Sequence, residues 1–253
     1  MEENFYDVLA RRYDILQSDM DCEKWAVYLS DIIKKYLATG NKNPDIIDLG
    51  CGTGSVDVPL MKATKANSLV GLDNAEEMLS VAASREGGDE IIWSAQDITD
   101  FELPGNVDVF VSLLDTLDHI MDAEVLSGIF KKVSEYLNDG GLFVFDVITK
   151  KHLEETFGDN VFFQDYGEFT LLWDNDYDSE EEVNTAYLTF FEEEEDGLYR
   201  RYDGELIERF YSEDDLKDMA SKAGLTHLGT FGELKMTSPD EDEERIFLVF
   251  RKN

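Results

Sequence analysis

Basic residues are scarce in this chain: 22 Lys and Arg stand against 57 Asp and Glu, a net charge of −35. A surface of that sign repels nucleic-acid phosphates and anionic membrane faces, so neither is an expected partner. It favours cationic or neutral small molecules, although solvated surface acid also serves solubility alone. Cysteine is nearly missing, and Cys22 and Cys51 cannot make a disulfide framework or a zinc site, so no metal is expected. No apolar run approaches the roughly 18 residues of a membrane span, and the N-terminus lacks a signal-peptide apolar region. Internal repeats and low-complexity linkers are also missing. The expectation is a soluble, cytoplasmic protein, with a homodimer left open. At 253 residues and 43% apolar content, the chain can bury one sizeable core with a small appendage.

What is present concentrates at residues 45–54, Asp-Ile-Ile-Asp-Leu-Gly-Cys-Gly-Thr-Gly. Asp45 to Leu49 reads as a short buried strand. Gly50, Gly52 and Gly54 follow at alternate positions, where missing Cβ atoms let the backbone turn tightly and approach a ligand. Ser55 to Lys65 then reads as a helix, with Ser55 as N-cap and Pro59 near its first turn. Strand, glycine turn and helix together place a ligand over a helix N-terminus. A second strand, Ser68 to Leu72, ends in Asp73, 19 residues beyond Gly54. That is close to the roughly 20 expected of an acid that grips a ribose hydroxyl. The pair of signals points to a nucleoside-type ligand.

The dinucleotide fingerprint G-x-G-x-x-G fails here, because its third glycine would fall at Ser55. That weakens a nicotinamide-dependent oxidoreductase as a reading. The stretch Asp48-Leu49-Gly50-Cys51-Gly52-Thr53-Gly54 instead resembles motif I of the class I S-adenosylmethionine (SAM) methyltransferases. Nearly the whole chain is similar to small bacterial members of the YqeM-like kind. The resemblance also rests on Tyr13-Asp14, Lys24-Trp25-Ala26, Phe157-Gly158-Asp159-Asn160, Asp196-Gly197-Leu198-Tyr199-Arg200-Arg201 and Glu244-Arg245-Ile246-Phe247. Glycine N-methyltransferases and amino-sugar N,N-dimethyltransferases share such an architecture.

The resemblance implies an α/β fold: a Rossmann-like seven-stranded sheet with helices on both faces, over 1–149 and 212–253. It implies SAM, held by the motif I residues and by Asp73 and Asn74, with Met78 on the inner face of the following helix. Gln96, Asp97 and Ile98, after a third strand from Glu90 to Ser94, would take the adenine. Leu113, Leu114 and Asp115, after a fourth strand from Val107, would face the donor and the substrate. Tyr13, with Tyr6 and Trp25, would cover the cofactor from the N-terminal helices; aromatic residues at that spacing are otherwise core. His119 stands where the transferred methyl should be, so His119 and Tyr13 are the expected catalytic residues, His119 as general base or substrate orienter. Asp115 could instead contact a cationic amine.

Asp122 to Leu137 reads as a helix stopped by Asn138-Asp139-Gly140-Gly141, and Leu142 to Val147 as a fifth strand. Residues 150–211 then break the pattern. His152 to Phe157 suggests a short helix; Phe169 to Trp173, Val183 to Phe191 and Leu198 to Tyr211 suggest antiparallel strands, with Glu192 to Asp196 an exposed hairpin tip. An insertion there overhangs the crevice as a lid, or serves packing or dimerisation. Ser212 caps a last helix, and strands from Leu225 and Arg245 end the sheet. The expected activity is methyl transfer from SAM to a small molecule, an amine foremost. A SAM-binding protein without catalysis is the reading from another class.

Overall fold

The computed structural model describes residues 5–194 and 197–253, so Glu195 and Asp196 of the hairpin tip lie outside the described residues. Helices α1 (Phe5–Leu16) and α2 (Cys22–Tyr36) lead the chain. The Asp21 side chain accepts from Lys24 N at the start of α2, and Lys34 and Lys35 occupy its last turn, charges that suit the helix dipole. Trp25, Leu29, Ile32 and Ile33 recur at helical spacing and are buried.

Strands β1 (Asp45–Leu49), β2 (Ser68–Asp73), β3 (Ile92–Ala95), β4 (Val107–Ser112) and β5 (Leu137–Ile148) follow, with helices α3 (Asp57–Thr64), α4 (Glu76–Ser84) and α5 (Ala123–Tyr136) between them. An inserted stretch carries β6 (Val161–Asp165), β7 (Phe169–Asp178), β8 (Val183–Glu193) and β9 (Tyr199–Arg209). Helix α6 (Glu213–Lys222) and strands β10 (Leu225–Gly232) and β11 (Arg245–Lys252) end the chain. The main sheet has the order β10-β11-β5-β4-β1-β2-β3, and β11 runs antiparallel to both neighbours. The chain works outward from β1 to β3, then restarts at β4 on the other side. The carboxyl ends of β1 and β4 therefore flank the switch point where such sheets open a ligand crevice.

Alternation along the strands builds a core on each face of the sheet. Phe110, Phe143 and Phe145 pack with Phe130 of α5, while Val109, Val111 and Val144 pack with Trp25 and Ile32 of α2. A third core joins α1 to the inserted sheet, through Phe5, Val8 and Leu9 against Phe169, Leu188 and Phe190. Gly204 of β9 is needed there, because a Cβ would meet the Phe5 ring at 2.2 Å.

Several local expectations are corrected. Helix α3 starts at Asp57 with no side-chain cap, so Ser55 caps nothing. Helix α5 ends in extended backbone at Leu137, and Asn138 to Gly141 run inside β5. Gly140 serves a close approach instead: its carbonyl accepts from Ala38 N at 3.0 Å, and a Cβ would lie 2.8 Å from the Ala38 backbone. The third strand begins at Ile92 rather than Glu90. His152–Phe157 is a short helix as expected, of the wide π type. The inserted sheet has four strands, the unexpected one being β6, whose five residues are all exposed. Glu192 is not a free tip residue, since Arg12 and Arg11 hold its carboxylate at 2.8 and 3.2 Å.

Candidate active site

Beyond β1 the chain turns through Gly50, Gly52 and Gly54, whose φ angles are 77°, 54° and 68°. The amides of Gly50 and Cys51 both donate to Leu72 O, at 2.8 and 3.0 Å, which seats the loop on the end of β2. A Cβ on Gly50 would stand 2.3 Å from Thr116 Cγ2, and one on Gly54 would stand 2.4 Å from the Trp93 ring. Around Gly52 nothing lies within 4 Å of that point. Internal packing thus demands glycine at the outer two positions, and only Gly52 keeps an open face. Gly52→Ala should fold with a melting temperature lower by roughly 2–8 °C, the cost of one left-handed residue. Gly50→Ala and Gly54→Ala should fall much further in the same thermal melts.

Asp73 ties this loop down from β2. Its Oδ2 accepts from Gly52 N and its Oδ1 from Ala75 N, both at 2.9 Å. That carboxylate, and not Asn74, serves the start of α4, where no side chain caps the helix. Each oxygen retains lone-pair capacity toward the cavity it borders. Burial raises the Asp73 carboxyl, and the amides of Ala75 and Gly52 pull it back. On the other side of the loop Asp14 of α1 accepts from Thr53 Oγ1 at 2.6 Å and pairs with Arg85. Arg85 also donates to Thr53 O at 3.0 Å. The Tyr13-Asp14 pair therefore divides its labour: Asp14 locks α1 onto the glycine loop, and Tyr13 faces inward.

A cavity of about 420 Å³ opens beside Gly52. Asp73, Asn74, Met78, Asp97 and Ile98 border one end. Tyr6 and Tyr13 of α1 and Leu114, Asp115 and His119 after β4 also border it, and Phe157, Trp173, Leu206 and Glu208 border it from the inserted stretch. Asp48, Cys51, Thr53 and Leu113 border a small separate cavity of about 40 Å³ under the loop, which Tyr13, Gly50, Gly52 and Leu114 also reach. Three expected residues stand elsewhere, and Gly54, packed on Trp93, is the first. Trp25 is 2% exposed and packs on Phe247 at 5.1 Å between centroids, as a core residue. Gln96 folds back on its own loop, accepting from Glu102 N at 2.8 Å and donating to Ser94 Oγ at 3.0 Å. Oδ1 of Asp97 takes the amide and hydroxyl of Thr99, both at 2.8 Å.

After β4 the backbone enters the left-handed region at two successive non-glycine residues, Leu114 (φ 57°) and Asp115 (φ 66°). Such residues cost roughly 1–3 kcal/mol each and persist only when their surroundings enforce them. Asp146, fully buried on β5, accepts from the amides of Leu114 and Asp115 at 2.9 and 3.3 Å. Arg245 on β11 bonds both oxygens of Asp115 and also Asp146. Asp115 is therefore committed to a guanidinium within the protein. The strained turn aims the 3-10 segment Thr116–His119 at the cavity. His119 Nδ1 lies 2.8 Å from the carbonyl of Ile207 on β9. A carbonyl only accepts, so Nδ1 carries the proton, and Nε2 of the neutral ring is left as an acceptor. Burial, and then the charge of Asp115, push the Tyr13 phenol up. Tyr13 can thus donate a hydrogen bond but does not serve as a base at neutral pH.

Glu208 escaped the sequence reading. It is 7% exposed on β9, and burial, with Asp115 next, pushes its carboxyl up to about 8. It bonds Asn184, its cross-strand neighbour on β8. Asn184 Nδ2 donates to Asn175 Oδ1 at 3.0 Å, and so does Trp173 Nε1 at 2.9 Å. This polar ladder fixes the Trp173 ring over the cavity. The available signal was the run Tyr202, Gly204, Leu206, Glu208, whose period of two puts an acid on an inward-facing strand surface.

Under the glycine loop, Asp48 and Asp57 are 2% and 0% exposed, and Asp48 Oδ1 and both oxygens of Asp57 have no hydrogen-bond partner among the described residues. Burial raises both, Asp57 to about 7, so the pair holds a proton at neutral pH. Between the unfolded value of about 4 and the folded value, the native state binds more protons than the unfolded one. Stability should therefore fall as pH rises from about 4 through about 7, and Glu208, raised to about 8, extends the fall. Asp57→Asn should flatten that fall in melting temperatures taken across the range and raise the value at pH 8.

Residues 22–228 match the family model described as a methyltransferase domain. Two bacterial relatives with provisional methyltransferase names match almost end to end. One, from Geobacillus sp. (strain WCH70), is 28% identical over 98% of this chain and 99% of its own. The other, YqeM of Bacillus subtilis (strain 168), is 26% identical over 98% and 97%. Among solved structures, a SAM-dependent methyltransferase from Clostridium acetobutylicum ATCC 824 superposes with a TM-score of 0.85 at 28% identity, over 99% of this chain and all of that one. The sugar N-methyltransferase KedS8 from Streptoalloteichus sp. ATCC 53650 shares the fold at 16% identity, with a TM-score of 0.75 over 100% of this chain and 95% of that one.

Proposed function

The chain belongs to the family of methyltransferase domains, and on that premise we propose that it transfers a methyl group from SAM to the nitrogen of a small-molecule amine. The observation that carries the reading is the open face of Gly52 beside the Asp73 carboxylate, at the mouth of a cavity of about 420 Å³. The residues suit the donor. Asp73 has lone-pair capacity for the ribose hydroxyls, and Gly52 lets the backbone approach. Asp97, with Oδ2 clear of the Thr99 bonds, would accept from the adenine amino group while Ile98 packs on the ring.

Bound SAM supplies a methyl group already activated by its sulfonium. The protein's own share is alignment, which is worth roughly 7–11 kcal/mol in well-oriented reactions. The Asp146–Arg245 brace fixes the turn that carries His119, and the Ile207 carbonyl fixes the ring's tautomer. Nε2 is then available to take the proton that an attacking amine must lose. Tyr13, held neutral, orients the acceptor by its hydroxyl. The inserted sheet and α1 cover the site and limit water. Among the described residues no helix is long and apolar enough to cross a membrane, and the charge of −35 opposes a nucleic-acid acceptor.

The test is twofold. SAM should raise the melting temperature and NAD should not. Release of S-adenosylhomocysteine should depend on an added amine. Binding of SAM without turnover of any amine, hydroxyl or carboxylate compound would instead identify a non-catalytic binder.

A further inference from the structure

Resting on the amine reading, we infer that Glu208 selects acceptors that carry no carboxylate or phosphate near the reacting nitrogen. Among the described residues that border the large cavity there is no Lys and no Arg, while Asp73, Asp97, Asp115 and Glu208 are all acids. The neighbouring guanidiniums are engaged within the protein: Arg209, next to Glu208 on β9, donates to Met121 O at 2.8 Å, and three others have anionic partners. Arg245 is held by Asp115 and Asp146, Arg12 by Glu192 and Glu168, and Arg85 by Asp14. An anionic group entering beside Glu208 would thus be buried with no free cation to meet it and would oppose ionisation of that carboxyl, a combination that disfavours its entry.

The same end of the cavity suits a cation. Glu208 sits on β9 one residue beyond Ile207, whose carbonyl orients His119. One strand therefore sets both the proton acceptor and the carboxyl that would hold the incoming ammonium. Trp173 and Phe157 border that end with ring centroids 5.6 Å apart. Aromatic faces attract alkylammonium groups and lose nothing as methyls are added. Burial, and next the charge of Asp115, keep the Glu208 carboxyl high against the pull of Arg245, and a bound cation would offset that cost. The acceptor class is thus a neutral-bodied amine: an alkylamine, an amino alcohol or an unphosphorylated amino sugar.

The full chain with SAM can be offered matched pairs that differ only by the anion: 2-phenylethylamine with phenylalanine, and 2-aminoethanol with its phosphate ester. Released S-adenosylhomocysteine is measured. The amine of a pair should be methylated with kcat/KM at least about 100-fold above its anionic partner. Glu208→Gln should raise KM for that amine about tenfold or more with little change in kcat, and its SAM affinity by calorimetry should match the parent, which shows an intact fold. Equal or better turnover of the anionic members, or an unchanged KM in Glu208→Gln, overturns this inference and leaves the amine reading standing. Normal SAM binding with no product from any member of either pair overturns the amine reading itself.

Discussion

Asp73→Ala should yield a folded protein that no longer binds SAM at measurable affinity. Two hydrogen bonds to a carboxylate are at stake at the ribose, each worth roughly 1.5–3 kcal/mol, which together correspond to a loss of about 10² to 10⁴ in affinity. The loss has a second source. The same carboxylate holds Gly52 N and Ala75 N at 2.9 Å, so its removal frees the loop whose open face receives the ligand. Asp73→Asn separates the two sources, since an amide keeps one acceptor oxygen. It should retain more of the loop's order than of the affinity. Calorimetry with SAM, beside circular dichroism to confirm the fold, reads both variants. Unchanged SAM affinity in Asp73→Ala would reject the assignment.

His119→Ala should have the opposite profile: SAM affinity within about twofold of the parent, and turnover of the amine acceptor lower by about 10² to 10³, the usual worth of a positioned proton acceptor. The side chain borders the cavity but makes its hydrogen bond to Ile207 on the inserted sheet, away from the Gly52 and Asp73 end. Its loss therefore leaves the donor's seat in place. Tyr13→Phe should cost less, within about tenfold, because burial keeps that phenol protonated and its hydroxyl only orients. Single-turnover measurements with saturating SAM separate these effects on chemistry from effects on binding. Equal turnover in His119→Ala and the parent would remove His119 from the mechanism.

The parts of this site that were legible in the sequence are the local ones. The glycine turn and Asp73 lie on consecutive strands, and a buried strand followed by Gly50, Gly52 and Gly54 has few other uses. The different tasks of those glycines were not legible. What excludes a Cβ at Gly50 and Gly54 is Thr116, from the 3-10 segment after β4, and Trp93, from β3. Ser55 looked like a helix cap because its side chain suits one. Helix α3 begins two residues later, and Asp73 already serves the start of α4. Trp25 shows how a helical stripe of aromatics conceals its destination: the face was right, yet it meets Phe247 and not the cavity.

The inserted sheet was the hardest part to read. Its strands are partly exposed on both faces, so alternation is weak, and β6 has no buried residue to mark it. The period of two along β9 marks Glu208 as inward-facing, but its neighbours follow only from the register that sets Asn184 opposite it and brings β9 against His119. Arg245 was visible only as part of a motif. Its work, bracing the strained Leu114–Asp115 turn, depends on pairing between β11 and β5.

The most direct test of the central claim is a crystal structure of the protein grown with S-adenosylhomocysteine. The account predicts the nucleoside against the open face of Gly52, with both sugar hydroxyls on the Asp73 carboxylate, the base between Asp97 and Ile98, and the sulfur turned toward His119. A nucleoside bound elsewhere, or a Gly52 crevice closed by the protein's own side chains, would contradict it.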